Sequence, residues 1–138
     1  MLENTYTLEN GIKIPKLGLG TWFIDDSKVA EAVREAVKIG YRMIDTAQAY
    51  GNERGVGEGG RTCGIPREDL FVVSKVAAEH KTYEQAMAGI DETLKKMGLD
   101  YLDMCRPQPW AEVRARTVMK RETVRRGELL RMLIKQAN

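Results

Sequence analysis

Three ionisable side chains have the types needed to deliver a proton to a carbonyl oxygen: Asp45, Tyr50 and Lys75. Each is placed at or just past the C-terminal end of a predicted strand. A tyrosine can act as a general acid, but a free phenol has a pKa of about 10 and is a poor donor at neutral pH. A nearby ammonium stabilises the phenolate, and a carboxylate stabilises the ammonium. The triplet predicts proton donation by Tyr50, assisted by Lys75 and Asp45.

The elements that must position these residues alternate between strand and helix. A hairpin comes first, with a tight primed turn predicted at Asn10-Gly11. Strand-like runs then alternate with segments of helical apolar spacing that carry capping residues and terminal glycines. The predicted strands are 17–22, 41–46, 70–73 and 101–105, and the predicted helices are 26–38, 53–63 and 82–97.

Repeated βα units indicate an α/β fold on a parallel sheet, either open and doubly wound or closed as a (β/α)8 barrel. The segment after the hairpin, Gly18-Leu19-Gly20-Thr21-Trp22, lacks the third glycine of the dinucleotide-binding fingerprint. That absence counts against a Rossmann site. The strand ends that carry Asp45 and Lys75 would be neighbours on the face where barrel enzymes place their active sites.

Several motifs, in order and at suitable spacing, resemble the N-terminal half of the aldo-keto reductases over about residues 5–104. They are Gly11-Ile12-Lys13-Ile14-Pro15, Leu17-Gly18-Leu19-Gly20-Thr21-Trp22, Gly40-Tyr41-Arg42, Ile44-Asp45-Thr46-Ala47, Ala49-Tyr50-Gly51-Asn52-Glu53, Gly64-Ile65-Pro66-Arg67 and Ser74-Lys75. The resemblance implies a partial (β/α)8 (TIM-type) barrel of about four βα units after an N-terminal β-hairpin. It also implies NADPH-dependent reduction of a small aldehyde or ketone.

By the same resemblance, Gly20, Thr21 and Asp45 would contact NADPH, and Trp22 and Tyr50 would contact the substrate. Tyr50, Lys75 and Asp45 would be the catalytic residues, with no metal. Trp22 could equally be a core aromatic residue. Taken singly, a loop tyrosine and a Lys–Asp pair are more often structural, and the family motif is what favours a site.

Three features depart from the family pattern. The fourth strand looks shortened after Met104 and lacks the family's substrate-orienting histidine, and the one histidine, His80, is expected to be an exposed loop residue. Gly59-Gly60 is expected to fray the second helix. Residues 106–138 form a divergent tail that we expect to be helical, whereas residues 1–105 form the half-barrel.

The tail carries 9 Lys and Arg against 3 Asp and Glu, while residues 1–105 carry 13 against 17. A solvated face of a terminal helix explains this better than nucleic-acid binding, because residues 111–138 lack aromatic residues that stack on bases. No apolar run is long enough to cross a membrane, and no secretory leader is recognisable. With two widely spaced cysteines, expected to be structural or incidental, these features predict a cytoplasmic protein.

A barrel of this type takes about 250 residues, so 138 residues cannot close one. Open edges predict a homodimer of half-barrels, or a tail folded across an edge. The resemblance assigns most adenosine and phosphate contacts to the second half, so weak or absent NADPH binding is expected. Three functions stay open: a carbonyl reductase, a truncated and inactive relative, and a module whose basic tail binds an acidic partner.

Overall fold

The computed structural model describes residues 4–108 and the backbone of residues 124–125. The strands are β1 (Thr5–Thr7), β2 (Lys13–Pro15), β3 (Leu19–Gly20), β4 (Met43–Asp45), β5 (Phe71–Val76), β6 (Tyr101–Leu102), β7 (Met104–Pro107) and β8 (Val124–Arg125). The helices are α1 (Asp26–Lys38), α2 (Glu53–Thr62) and α3 (Tyr83–Met97). Short 3-10 turns cover Gln48–Tyr50 and Arg67–Asp69.

A parallel four-stranded sheet carries the site, in the order β3-β4-β5-β7. Apolar residues of all three α-helices pack around Ile44, Val72 and Val76 of this sheet and form one core. Burying a side chain of that size contributes about 1.5–3 kcal/mol to folding. Strand order and helix placement confirm the predicted partial (β/α)8 barrel.

The hairpin forms as predicted, with Tyr6 opposite Ile14, but its turn is not a two-residue primed turn. A primed turn of that kind needs positive φ at both central residues, and Gly11 has it (φ 81°) whereas Asn10 does not. Leu8 donates its N–H to Ile12 instead, at 2.8 Å, which leaves a loop of three residues. The side chain of Asn10 accepts from the N–H of Ile12 at 3.2 Å, which favours this turn.

Helix α2 is continuous from its first residue to its last, so the predicted fraying at Gly59-Gly60 is wrong. The helix packs against both α1 and α3. A methyl group on Gly57 would overlap the carbonyl of Met97 in α3, and one on Gly59 would press on the carbonyl of Ala30 in α1. The missing side chains allow close approach of three backbones, and the packing gained there outweighs the low helix propensity of glycine.

The fourth strand of the sheet is β7, which continues past Met104 to Pro107, so the predicted shortening is wrong. The backbone N–H of Gln108 extends the pairing by donating to the carbonyl of Val76 at 2.8 Å. Arg106 and Pro107 are both exposed and do not resemble a buried strand. They are tolerated because β7 pairs only with β5 among the described residues, and an outer strand can lack one donor.

Most of the predicted helical tail falls outside the described residues. Its described residues form strand rather than helix: Arg106 and Pro107 end β7, and in β8 Val124 pairs with Leu102 and Arg125 with Tyr101. Within the described part of the chain, β3 and β7 each have one neighbour in their sheet. The homodimer and the boundary between residues 105 and 106 stay predictions.

A buried carboxylate connects α2 to the sheet and to α3. Glu53 is 3% exposed and accepts hydrogen bonds from the hydroxyls of Ser74 at 2.6 Å and Thr93 at 3.0 Å. Burial raises the pKa of Glu53 because its charged form loses water, and the bonds from Ser74 and Thr93 partly oppose that rise. The first turn of α2 is thereby fixed to β5 and to the middle of α3.

We predict that Gly57→Ala destabilises the fold by about 1–3 kcal/mol, because its methyl group overlaps the Met97 carbonyl. The matched control is Gly60→Ala, whose methyl group would meet Leu70 at an ordinary 3.7 Å. We expect the control to be neutral or to stabilise by up to about 1 kcal/mol, because alanine favours a helix. Urea unfolding of both variants tests this, and equal destabilisation would contradict the close-packing explanation.

We predict that the original chain loses stability relative to the Glu53→Gln variant as the pH rises from about 4.5 through the folded-state pKa of Glu53. The measured quantity is the difference between their free energies of unfolding. The reason is that a raised folded pKa adds stability that is complete below the unfolded pKa and is lost above the folded one. Glu92→Gln is the control of opposite sign, since the bond from Lys96 lowers the pKa of Glu92. Denaturant unfolding at several pH values measures both slopes, and equal signs would refute the assignment.

Candidate active site

Strand register brings Asp45 and Lys75 to the same face of the sheet. Asp45 pairs with Gly20 on one side and with Val73 on the other. Lys75 follows Val73 by two residues, and side chains two apart on a strand point to the same face. The predicted neighbourhood of the two charged groups therefore follows from the pairing itself.

The ammonium of Lys75 is the centre of the cluster. The residue is 5% exposed, and its Nζ donates to the two carboxylate oxygens of Asp45 at 2.9 and 2.8 Å and to the carbonyl of Thr46 at 2.9 Å. It also lies 3.3 Å from the phenol oxygen of Tyr50. A buried charge needs such partners. Lys75 of β5 supplies the cation, and Asp45 of β4 supplies two of the oxygen atoms around it.

Tyr50 reaches this cluster from the 3-10 turn that follows β4. Gly51, with φ 68°, reverses the chain directly after it, and the side chain of Gln48 fixes the turn by accepting from the N–H of Ala77 at 2.7 Å. The Tyr50 oxygen accepts from Lys75, so its own hydrogen can be donated away from the ammonium. The arrangement suits a phenol that gives a proton to a bound molecule.

Two aromatic rings lie beside Tyr50. Trp22 is 65% exposed, with its ring centroid 6.4 Å from that of Tyr50, and Phe23 stacks on Trp22 at 4.3 Å. Trp22 is therefore not a core residue, and most of its surface is open to solvent beside Tyr50.

The residues expected at the cofactor differ in what they offer. A side chain added at Gly20 would meet nothing within 4 Å, and the carboxylate of Asp45 is 31% exposed. Both residues therefore leave room for a cofactor ring at the strand ends. Thr21 is buried, and its hydroxyl and N–H both donate to the carbonyl of Asp45, at 3.0 and 3.1 Å. Its side chain therefore faces the protein, and it serves the site by joining β3 to β4.

His80 is half-buried rather than exposed, because its ring packs against Gly89 of α3. With Glu53, Glu92 and Lys96 it lines a groove of about 370 Å³ beside the 3-10 turn. Among the described residues, no group of three or more His, Cys, Asp and Glu side chains could hold a metal ion. No helix in the described ranges is both long and apolar enough for a transmembrane span.

Three contributors were not predicted from the sequence: Thr46, Phe23 and Asn52. Thr46 acts through its carbonyl, which every residue has, so its side chain gives no signal. Asn52 lies two residues after Tyr50 in the motif Ala49-Tyr50-Gly51-Asn52-Glu53. This position was the one sign in the sequence that Asn52 contributes to the site. Positive φ at Phe23 is invisible in the sequence because bulky residues rarely adopt it.

Known proteins agree with this fold. Residues 16–112 match the model of the aldo/keto reductase family. A 9,11-endoperoxide prostaglandin H2 reductase of Trypanosoma cruzi is 45% identical over 102 residues, which cover 73% of this chain and 36% of that protein. A glyoxal reductase of Bacillus subtilis is 44% identical over 104 residues, which cover 75% and 38%.

Solved structures give the same result. An aldo/keto reductase from Brucella melitensis superposes with a TM-score of 0.74 at 43% identity, covering 76% of this chain and 40% of that one. A Bombyx mori aldo-keto reductase in complex with NADP has a TM-score of 0.69 at 34% identity, covering 76% and 38%. The chain thus spans about two fifths of the length of these relatives. On the matched family model and these alignments, the chain belongs to the aldo/keto reductase family.

Proposed function

We propose that this chain carries the proton-donating site of an NADPH-dependent reductase of small aldehydes or ketones. The observation that carries the proposal is the convergence of a phenol, an ammonium and a carboxylate: Lys75 Nζ lies 3.3 Å from the Tyr50 oxygen and 2.8 Å from an Asp45 oxygen. NADPH, when bound, would supply the hydride to the carbonyl carbon. The chain's own residues would supply the proton to the oxygen.

Each residue of the cluster has a distinct role in this proposal. The substrate oxygen lies against the Tyr50 hydroxyl and receives its proton as general acid. The Lys75 ammonium stabilises the phenolate left behind, and because Lys75 is nearly buried this contact is stronger than it would be in water. Asp45 holds the ammonium with both oxygens and so fixes where Lys75 points.

Gly20 and Asp45 would hold the nicotinamide end of NADPH, since Gly20 is open and Asp45 is partly exposed. Trp22 would border the substrate beside Tyr50. Two cysteines without a disulfide, Cys63 and Cys105, suit a reducing compartment, and we propose the cytoplasm.

An inactive relative is the second candidate, and one observation favours it. The residue that follows β7 is Gln108, so the described end of the fourth strand offers no imidazole to orient a carbonyl. In that case the cluster of Tyr50, Lys75 and Asp45 would only support the fold. An interaction module with a basic tail remains open as well.

We predict that Tyr50→Phe lowers turnover of a small aldehyde such as glyoxal by about 100-fold or more, because the proton donor is lost. NADPH consumption at 340 nm measures the rate. The matched control is Tyr83→Phe, at the first position of α3, which should keep the original rate. An unsubstituted chain that reduces no aldehyde or ketone of a broad panel would favour the inactive relative.

We predict that residues 1–138 bind NADPH with a Kd above about 0.1 mM, where binding contributes less than about 6 kcal/mol. The reason is that the resemblance assigns most adenosine contacts to parts of the relatives that this chain does not match. Reduced nicotinamide mononucleotide should then bind within about threefold of NADPH, a difference of about 0.7 kcal/mol. Fluorescence titration compares the two, and micromolar binding of NADPH would refute the prediction.

A further inference from the structure

Residues 21–24 form a strained turn beside Tyr50. The N–H of Ile24 donates to the carbonyl of Thr21 at 3.1 Å, which closes a four-residue turn with Trp22 and Phe23 at its centre. Phe23 has φ 65° and is the one described non-glycine residue with positive φ. Glycine usually occupies that position of such a turn, and a bulky residue there is strained, so it persists only where surrounding contacts offset the strain.

Asn52 holds the turn in this conformation from the interior of the protein. It is fully buried, and its Nδ2 donates to the carbonyls of Thr21 at 2.8 Å and Ile24 at 3.0 Å, the first and last residues of the turn. Its Oδ1 accepts from the hydroxyl of Thr46 at 2.7 Å. The carbonyl of Thr46 in turn accepts from Lys75, so one amide connects the turn to the ammonium.

The turn presents two stacked aromatic rings to solvent. Trp22 is 65% and Phe23 86% exposed, and Trp22 lies next to Tyr50. Stacked rings offer a large, rigid apolar surface to a ligand. Exposure of both apolar rings to water is unfavourable in free energy, and a bound apolar group would remove that penalty by covering them.

We propose that Asn52 is a positioning residue: it holds the strained turn so that Trp22 and Phe23 form an aromatic wall beside the Tyr50 hydroxyl. The wall would take the apolar, preferably aromatic, group attached to the substrate carbonyl. The substrate part of this inference rests on the proposed function. The placement of the wall by Asn52 does not, and it can be measured without turnover.

The first experiment follows the motion of Trp22 in a Trp110→Phe background, which leaves it as the one tryptophan. Asn52→Ala should raise the sub-nanosecond fraction of its fluorescence anisotropy decay by about twofold, since the wall loosens. Gln48→Ala is the matched control, because Gln48 also makes three side-chain hydrogen bonds, to Ala77, Gly89 and Thr93. Equal decays in all three proteins would overturn the proposal.

A double-mutant cycle of urea unfolding tests the same proposal where a variant is less stable than the original chain. Phe23→Gly removes the strain, so Asn52→Ala should lower the urea midpoint less in a Phe23→Gly background than in the original chain. Gln48→Ala should lower it equally in both backgrounds. An equal loss from Asn52→Ala in both, or failure to fold in both, would overturn the proposal, because Asn52 would then serve the whole fold.

Kinetics separate the substrate claim from the proposed function. In a chain that turns over, Asn52→Ala should raise the KM for benzaldehyde several-fold and leave the KM for glyoxal unchanged, since glyoxal has no apolar group for the wall. An equal rise for both aldehydes would refute the wall as a specificity element. A chain without turnover that still shows the anisotropy change would refute the proposed function and support the role of Asn52.

Discussion

The ammonium of Lys75 is almost entirely removed from water, and the arrangement of the strand ends follows from that burial. Transferring such a charge into the protein costs several kcal/mol unless oxygen atoms replace its water. Asp45 at the end of β4 and Thr46 directly after it supply those oxygens, and Tyr50 supplies one more from the turn that follows. A strand pairing shifted by one residue would turn Lys75 to the opposite face and leave the charge without partners.

Two consecutive residues at the start of α2 support this cluster. Asn52 reaches the turn that carries Trp22, whereas Glu53 reaches Ser74, the residue before Lys75. Successive residues of a strand point to opposite faces, so Ser74 is anchored among the helices while Lys75 faces the site. The start of α2 therefore contacts both the strand that carries the lysine and the turn that carries Trp22.

Local sequence signals predicted the parts of the fold that local physics decides. The predicted helix 82–97 is confirmed as α3, which begins with a capping box between Thr82 and Gln85, because such hydrogen bonds join near neighbours in the chain. The glycines of α2 misled the prediction, since propensity describes an isolated helix and not one pressed between two others. The roles of Phe23 and Asn52 depend on contacts between segments about 30 residues apart, which no local pattern encodes.

Proline at the end of β7 has a consequence for what can be added to the sheet. Backbone groups alternate along a strand, and Gln108 donates towards β5, so position 107 faces the other way. Proline has no hydrogen to offer there, and an incoming strand would have one carbonyl without a donor. Pro107 therefore disfavours edge-to-edge pairing of β7 with a strand of another chain at this position. A further strand paired with β7 would leave its carbonyl opposite Pro107 to accept a hydrogen bond from water.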